Sequence, residues 1–99
     1  MIRHISIFTL KDKQKINDFM DLLNEISDKC PLIINFEIGK HVNKNEPVND
    51  YGPHFGDVIQ LIDFKNQLDA DAYPQSKEHI YLIENGPLME EVTAIDYEI

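Results

Sequence analysis

His79 is the residue of this chain best suited to chemistry. An imidazole ordinarily titrates at about 6.5, so at neutral pH it can both take and return a proton. A carboxylate can hold such a ring in one orientation, and Asp96 is placed to do so if it shares a face with an imidazole. His4 is either a second group of the same pocket or the hydrogen-bond partner of Asp96. The other two histidines, His41 and His54, flank a stretch rich in Asn, Pro and Gly. None of the four follows a metal-site spacing such as His-Glu-x-x-His. Asp50 and Asp57 could hold a hard cation near that stretch, but two carboxylates are few for that purpose. No metal is expected. There is no GxGxxG, phosphate-binding loop or GxSxG pattern, so neither a nucleotide cofactor nor a serine-hydrolase motif is legible, and no cofactor is expected. Cys30 is alone, beside Pro31, and reads as a buried thiol.

The groups around these residues limit the partners. The net charge is −9. Residues 1–49 hold seven basic and seven acidic side chains, whereas residues 50–99 hold two and eleven. A surface of that sign repels phosphate backbones and anionic bilayers, so neither nucleic acid nor membrane is an expected partner. No apolar run approaches the roughly 20 residues that span a bilayer. The first residues, Met1-Ile2-Arg3-His4, read as the start of a strand and not as a secretion signal. With a single thiol, this suits a reducing cytoplasm.

The elements that must position these groups follow from periodicity. The chain has 99 residues, read as one domain over 1–99. Residues 2–10 are β-branched and aromatic and predict a strand. Asp12 is a candidate N-cap, and Ile16, Phe19, Met20, Leu23 and Ile26 recur at helical spacing up to Lys29. Residues 32–38 predict a second strand ended by Gly39, 41–55 a loop, and 57–64 a third strand. Pro74 fits a first helical turn, residues 76–84 carry a helical pattern closed by Asn85-Gly86, and 87–91 allow one more turn. Residues 92–99 predict the last strand. The order is βαββαβ, an α+β ferredoxin-like domain with an antiparallel sheet.

Alternation assigns the faces. His4, Ser6, Phe8, Leu10, Ile34, Phe36, Ile38, Val58, Gln60, Ile62, Phe64, Val92, Ala94 and Asp96 fall on one face. Ile5, Ile7, Ile33, Ile59, Leu61, Ile95, Tyr97 and Ile99 fall on the other. Two helices cover one face only, and water against the other would cost about 25 cal/mol per Å² of apolar surface. A second copy of the sheet is the natural cover, which predicts a homodimer built as a dimeric α+β barrel. The even face also carries four polar side chains, His4, Ser6, Gln60 and Asp96. Such groups beneath helices imply either a buried polar network or a lined pocket.

The run from Met1-Ile2-Arg3-His4-Ile5 to Phe8 and Lys11-Asp12 resembles the opening of the stress-responsive A/B barrel (dimeric α/β barrel, Dabb) family. Gly39, Asp57 to Phe64, Tyr73, Pro74, His79 and Asp96-Tyr97 follow in the family's order. The stretch Tyr73-Pro74-Gln75-Ser76-Lys77-Glu78-His79 lacks one His that the family often has and carries its Pro earlier. The resemblance implies a dimeric barrel with a pocket between sheet and helices. It implies that Tyr73 and His79 act as an acid–base pair, as in members resembling polyketide cyclases. It also implies that Phe19, Met20 and Leu23 line the apolar part of the pocket. Three readings follow: a pocket for an apolar or aromatic small molecule without turnover, a cofactor-free acid–base enzyme acting on a carbonyl compound, and a structural stress-response protein without catalysis.

Overall fold

The computed structural model describes residues 1–42 and 56–99. Strand β1 (Ile2–Leu10) leads through a 3-10 turn (Lys13–Lys15) into helix α1 (Ile16–Lys29), followed by β2 (Ile33–Lys40) and β3 (Val58–Phe64). Helix α2 (Gln67–Ala72), a 3-10 turn (Tyr73–Gln75), α3 (Lys77–Asn85) and β4 (Met89–Glu98) complete the chain. The sheet has the order β2-β3-β1-β4, and every neighbouring pair is antiparallel. This is the expected ferredoxin-like arrangement. Most of the expected 41–55 loop, with His54 and Asp50, lies outside the described residues.

Local chemistry sets the helix ends. The Asp12 carboxylate accepts from the Gln14 amide, the N-cap bond expected of it. Cys30 is extended because Pro31 disfavours a helical residue before it, and α1 stops there. Ser76 caps α3 by accepting from the His79 amide at 3.1 Å. At the other end the Gly86 amide donates to Leu82 O at 2.8 Å. A Cβ at Gly86 would sit 2.8 Å from that same carbonyl, so the close turn tolerates no side chain.

Three expectations need correction. Gly39 does not end β2: it lies within the ladder, opposite Ile59, because the pairing continues to Lys40 and overrides the weak strand preference of glycine. Residues 87–91 do not form a helical turn. Met89 pairs with Leu10 and Glu91 with Thr9, so Glu90 of β4 is the extra residue of a bulge. The parity of β2 also shifts at its start. Ile33 pairs with Phe64 and Asn35 with Asp63, leaving Ile34 in a bulge and 47% exposed. Ile33 therefore joins the helix-side core, contrary to simple alternation.

The core beneath the helices is in two parts. Phe8, Leu10 and Val58 of the sheet pack against Ile16, Phe19, Leu23 and Ile26 of α1, with Leu82 of α3. Phe8 and Phe19 meet edge to face with centroids 4.8 Å apart. A second cluster joins Ile2, Ile62 and Phe64 to Cys30 and Tyr73. Between them lie the buried polar residues Ser6 and Gln60 of the sheet and Ser27 of α1, with a Gln60 Nε2 to Ser27 Oγ bond of 3.3 Å. On the opposite face Arg3 grips Asp63 with two bonds, 2.8 and 3.0 Å. Those bonds hold the Asp63 carboxyl below its ordinary range.

One buried carboxylate fixes the start of β3. Asp57 accepts from the Leu10 amide and from Lys13 Nζ, both at 2.8 Å. These bonds tie it to the end of β1 and to the 3-10 turn before α1. Replacing Asp57 by Ala leaves a buried amide without its acceptor and is expected to cost about 3 kcal/mol. Lys13→Met removes a half-exposed partner and is expected to cost under about 1 kcal/mol. Denaturant melts of the two variants check the ordering, and equal losses would show that the Leu10 amide contributes little.

Candidate functional site

A cavity of about 410 Å³ opens between the helix side of β1 and β4 and the end of α3. Three of the four strands contribute, β1 with alternate residues. β1 gives His4, Ser6 and Phe8; β4 gives Met89, Val92 and Ala94; β3 gives Gln60. Helix α1 adds Phe19, α3 adds Leu82 and Ile83, and the preceding turn adds Tyr73. Most of the wall is apolar, with a few polar groups on one side, the usual composition of a small-molecule site.

Of the residues singled out from the sequence, His4, Ser6, Phe8, Phe19, Gln60, Tyr73 and His79 all line this cavity. Asp96 stands beside it, hydrogen-bonded to His4. Met20 and Leu23 do not reach it. Both pack in the cluster around Phe8, because their positions on α1 face the sheet away from β4. The sequence reading missed Leu82, Ile83 and the 86–89 turn. The helical spacing of Leu82 on the same face as His79 was the available signal, but a turn that folds over a cavity has no periodicity to read.

Tyr73 is held by the second core cluster, against Phe64 with centroids 5.3 Å apart. It is 5% exposed. Its hydroxyl is buried and has no hydrogen-bond partner among the described residues. Burial pushes the phenol up to about 12. The Gln60 side chain, close to the hydroxyl but outside hydrogen-bond geometry, offsets a smaller part of that shift as a nearby polar group. The group thus remains a proton donor across the physiological range.

His79 stands edge-on to the Tyr73 ring, with centroids 4.9 Å apart. Its Nδ1 lies 3.2 Å from Pro74 O. A carbonyl only accepts, so Nδ1 carries the proton and Nε2 keeps its lone pair. Burial, with a smaller contribution from the neighbouring His4, lowers the pKa of His79 below the ordinary value. The ring is therefore neutral at pH 7, the state a base requires. The bond to Pro74 ties the ring to the turn before α3, and the ring also lines the cavity.

The third arrangement crosses strands. His4 and Asp96 are directly opposite in the β1–β4 ladder, and His4 Nδ1 bonds Asp96 Oδ1. His4 Nε2 lies 2.6 Å from Ser6 Oγ. Of the four polar groups of the even face, His4, Ser6 and Gln60 line the cavity, while His4, Ser6 and Asp96 form one hydrogen-bonded line and Gln60 bonds Ser27. Among the described residues no group of three or more His, Cys, Asp or Glu could hold a metal ion. No helix there is long and apolar enough to cross a membrane.

Solved structures share this architecture. A Dabb family protein with a ferredoxin-like fold from Mesorhizobium loti is 21% identical, with TM-score 0.77 over 99% of this chain and 95% of that one. A dimeric ferredoxin-like protein of unknown function from Bacteroides fragilis is 23% identical, with TM-score 0.71 over 99% and 95%. The hydroxynitrile lyase of Passiflora edulis is 18% identical, with TM-score 0.78 over 99% and 92%. No curated protein sequence matches the chain. The model of the Stress responsive A/B Barrel Domain matches residues 2–99. With that match over nearly the whole chain and the sheet order in agreement, this chain belongs to the Dabb family.

Proposed function

We propose that the cavity binds a small, mainly apolar carbonyl compound and moves a proton on it. The observation that carries this reading is the buried Tyr73 hydroxyl, which has no partner among the described residues. A buried donor left unpaired costs about 1–3 kcal/mol. A ligand oxygen accepting from it removes that cost. His79 Nε2 on the same wall takes the α-proton, and the phenol stabilises the developing oxyanion. Support comes from a solved hydroxynitrile lyase that shares the fold. The apolar wall formed by Phe8, Leu82, Val92 and their neighbours favours an alkyl or aryl substituent.

The outer face of the sheet supports a second reading, that the protein works as a homodimer. Ile59, Ile95 and Tyr97 are 40, 62 and 39% exposed on that face. A second copy packed sheet to sheet would cover them, and a dimeric relative of the same fold is known. The buried thiol of Cys30, raised by its burial, suits the reducing cytoplasm.

Deuterium exchange tests the acid–base reading. Acetophenone analogues bearing an α-methyl group, incubated with the protein in D₂O and followed by NMR, are expected to exchange their α-protons. His79→Ala should slow exchange at least about 100-fold. The rate should be level from neutrality upward and fall only at a pH below the ordinary imidazole value of about 6.5, because burial lowers the pKa of His79 and keeps the base free further into acid. The alkaline limb should lie above pH 10, since the phenol titrates at about 12. Exchange no faster than in buffer for a panel of aryl and alkyl ketones would remove the reading.

Tyr73→Phe separates function from folding. It is expected to raise stability by about 1 kcal/mol in denaturant melts, since it deletes an unpaired buried hydroxyl, while abolishing exchange. A loss of stability instead would mean that the hydroxyl serves the fold. For the dimer, native mass spectrometry is expected to give twice the chain mass. Ile95→Glu should give a folded single chain, and a wild-type mass of one chain would refute the pairing.

A further inference from the structure

Asp96, His4 and Ser6 form a second constellation in the cavity, one that proton transfer by His79 leaves unused. Its geometry comes from strand pairing alone. His4 and Ser6 are two residues apart on β1 and share a face, and Asp96 faces His4 from β4. The Asp96 carboxylate can only accept, so it fixes the proton on His4 Nδ1. His4 Nε2 then presents its lone pair to Ser6, and the Ser6 hydroxyl donates to it at 2.6 Å. Ser6 is 4% exposed and lines the cavity. A hydroxyl whose proton is engaged by an oriented imidazole has its lone pairs free for attack. The Tyr73 hydroxyl, without a partner among the described residues, is a donor lining the same cavity from the helical side.

We propose that Ser6 is a nucleophile, activated by His4 and oriented through Asp96, that accepts an acyl group from small apolar activated esters or thioesters. Ser6 Oγ forms a bond to the acyl carbon while its proton passes to His4 Nε2. The carbonyl oxygen becomes an oxyanion that accepts from the Tyr73 hydroxyl. The intermediate collapses, the bond to the alcohol or thiol breaks, and His4 returns the proton to that leaving group. Water then attacks the acyl-Ser6 ester with His4 again as base, releasing the carboxylic acid and restoring the hydroxyl. No oxidant, metal or co-reactant other than water enters. Here Ser6 and His4 are catalytic, while Asp96 is a positioning residue.

The cavity sets the substrate class. Phe8, Val92 and Ala94 flank Ser6 along the two strands, so the acyl chain is apolar. Asp96 is 54% exposed and negative at the rim, which disfavours acids and phosphorylated acyl donors.

A small dialkyl fluorophosphate tests the nucleophile. Its phosphorus takes the place of the acyl carbon, and fluoride leaves as the Ser6 Oγ–P bond forms. Intact mass and peptide mapping of the whole protein are expected to show one adduct per chain, on Ser6. Ser6→Ala should abolish it, and His4→Ala should slow labelling at least about 100-fold. Asp96→Asn alters only a half-exposed side chain and keeps the fold, which circular dichroism verifies. It should slow labelling at least about tenfold. p-Nitrophenyl butyrate should give a stoichiometric burst of p-nitrophenol that the same variants lose. The proposal fails if folded wild-type protein takes no label, if the label maps to Tyr73 or another residue, or if Asp96→Asn and His4→Ala label at the wild-type rate. Labelling involves no carbonyl proton transfer, so its failure would leave the reading of His79 standing, and the reverse is also true.

Discussion

Everything in this molecule depends on the parity of β1. It is paired on both sides, with β3 and with β4, so its alternation is imposed on three strands at once. One slipped residue would carry Phe8 and Leu10 out to water and bring Arg3, Ile5 and Ile7 under the helices. The Asp57 carboxylate on the Leu10 amide pins the end of this strand. The Arg3–Asp63 pair pins its other end from the opposite face. Between those two points the side chains of His4, Ser6 and Phe8 have one possible destination, the cavity wall.

The site is consequently a product of the sheet more than of any loop. Three of its polar groups, His4, Ser6 and Gln60, stand on neighbouring strands in the middle of the ladder. Tyr73 and His79 approach from the helical layer, in the turn and helix that Pro74 and Ser76 define. A rigid floor with an opposed polar ceiling suits chemistry on a small molecule, because both sides of the reaction are fixed by packed secondary structure. Electrostatics follow the same division. The ceiling groups are shifted by burial, the phenol upward and the imidazole downward, so each is held in the protonation state that its role requires.

Much of this was legible in the residues. The period of 3.6 in Ile16, Phe19, Leu23 and Ile26, and the period of 2 in β1, suffice for the element order and for one polar set on the helix side. The possible pairing of His4 with Asp96 also follows from that set. The structure adds the register, which places these two opposite each other across 92 residues of sequence. A search for a local serine motif finds nothing because the Ser6–His4–Asp96 line is built by strand pairing, with only two of its members close in sequence. The bulge at Ile34 and the early start of β4 were illegible for a related reason. Bulges answer to the geometry of the partner strand, and local composition carries no record of it. Met20 and Leu23 were misplaced because helical spacing reports which residues face inward, not which part of the interior they meet.

The division of the core into two apolar clusters has an evolutionary corollary. Phe8, Leu10, Phe19 and Leu23 hold one end of the molecule, and Ile62, Phe64 and Tyr73 hold the other. The band between them, Ser6, Gln60 and Ser27, contributes hydrogen bonds but little apolar packing. Substitutions in that band change the chemistry of the interior while leaving both anchoring clusters intact. A lineage can therefore drift through different polar sets there without passing through unfolded intermediates, and one scaffold can come to hold unrelated reactions.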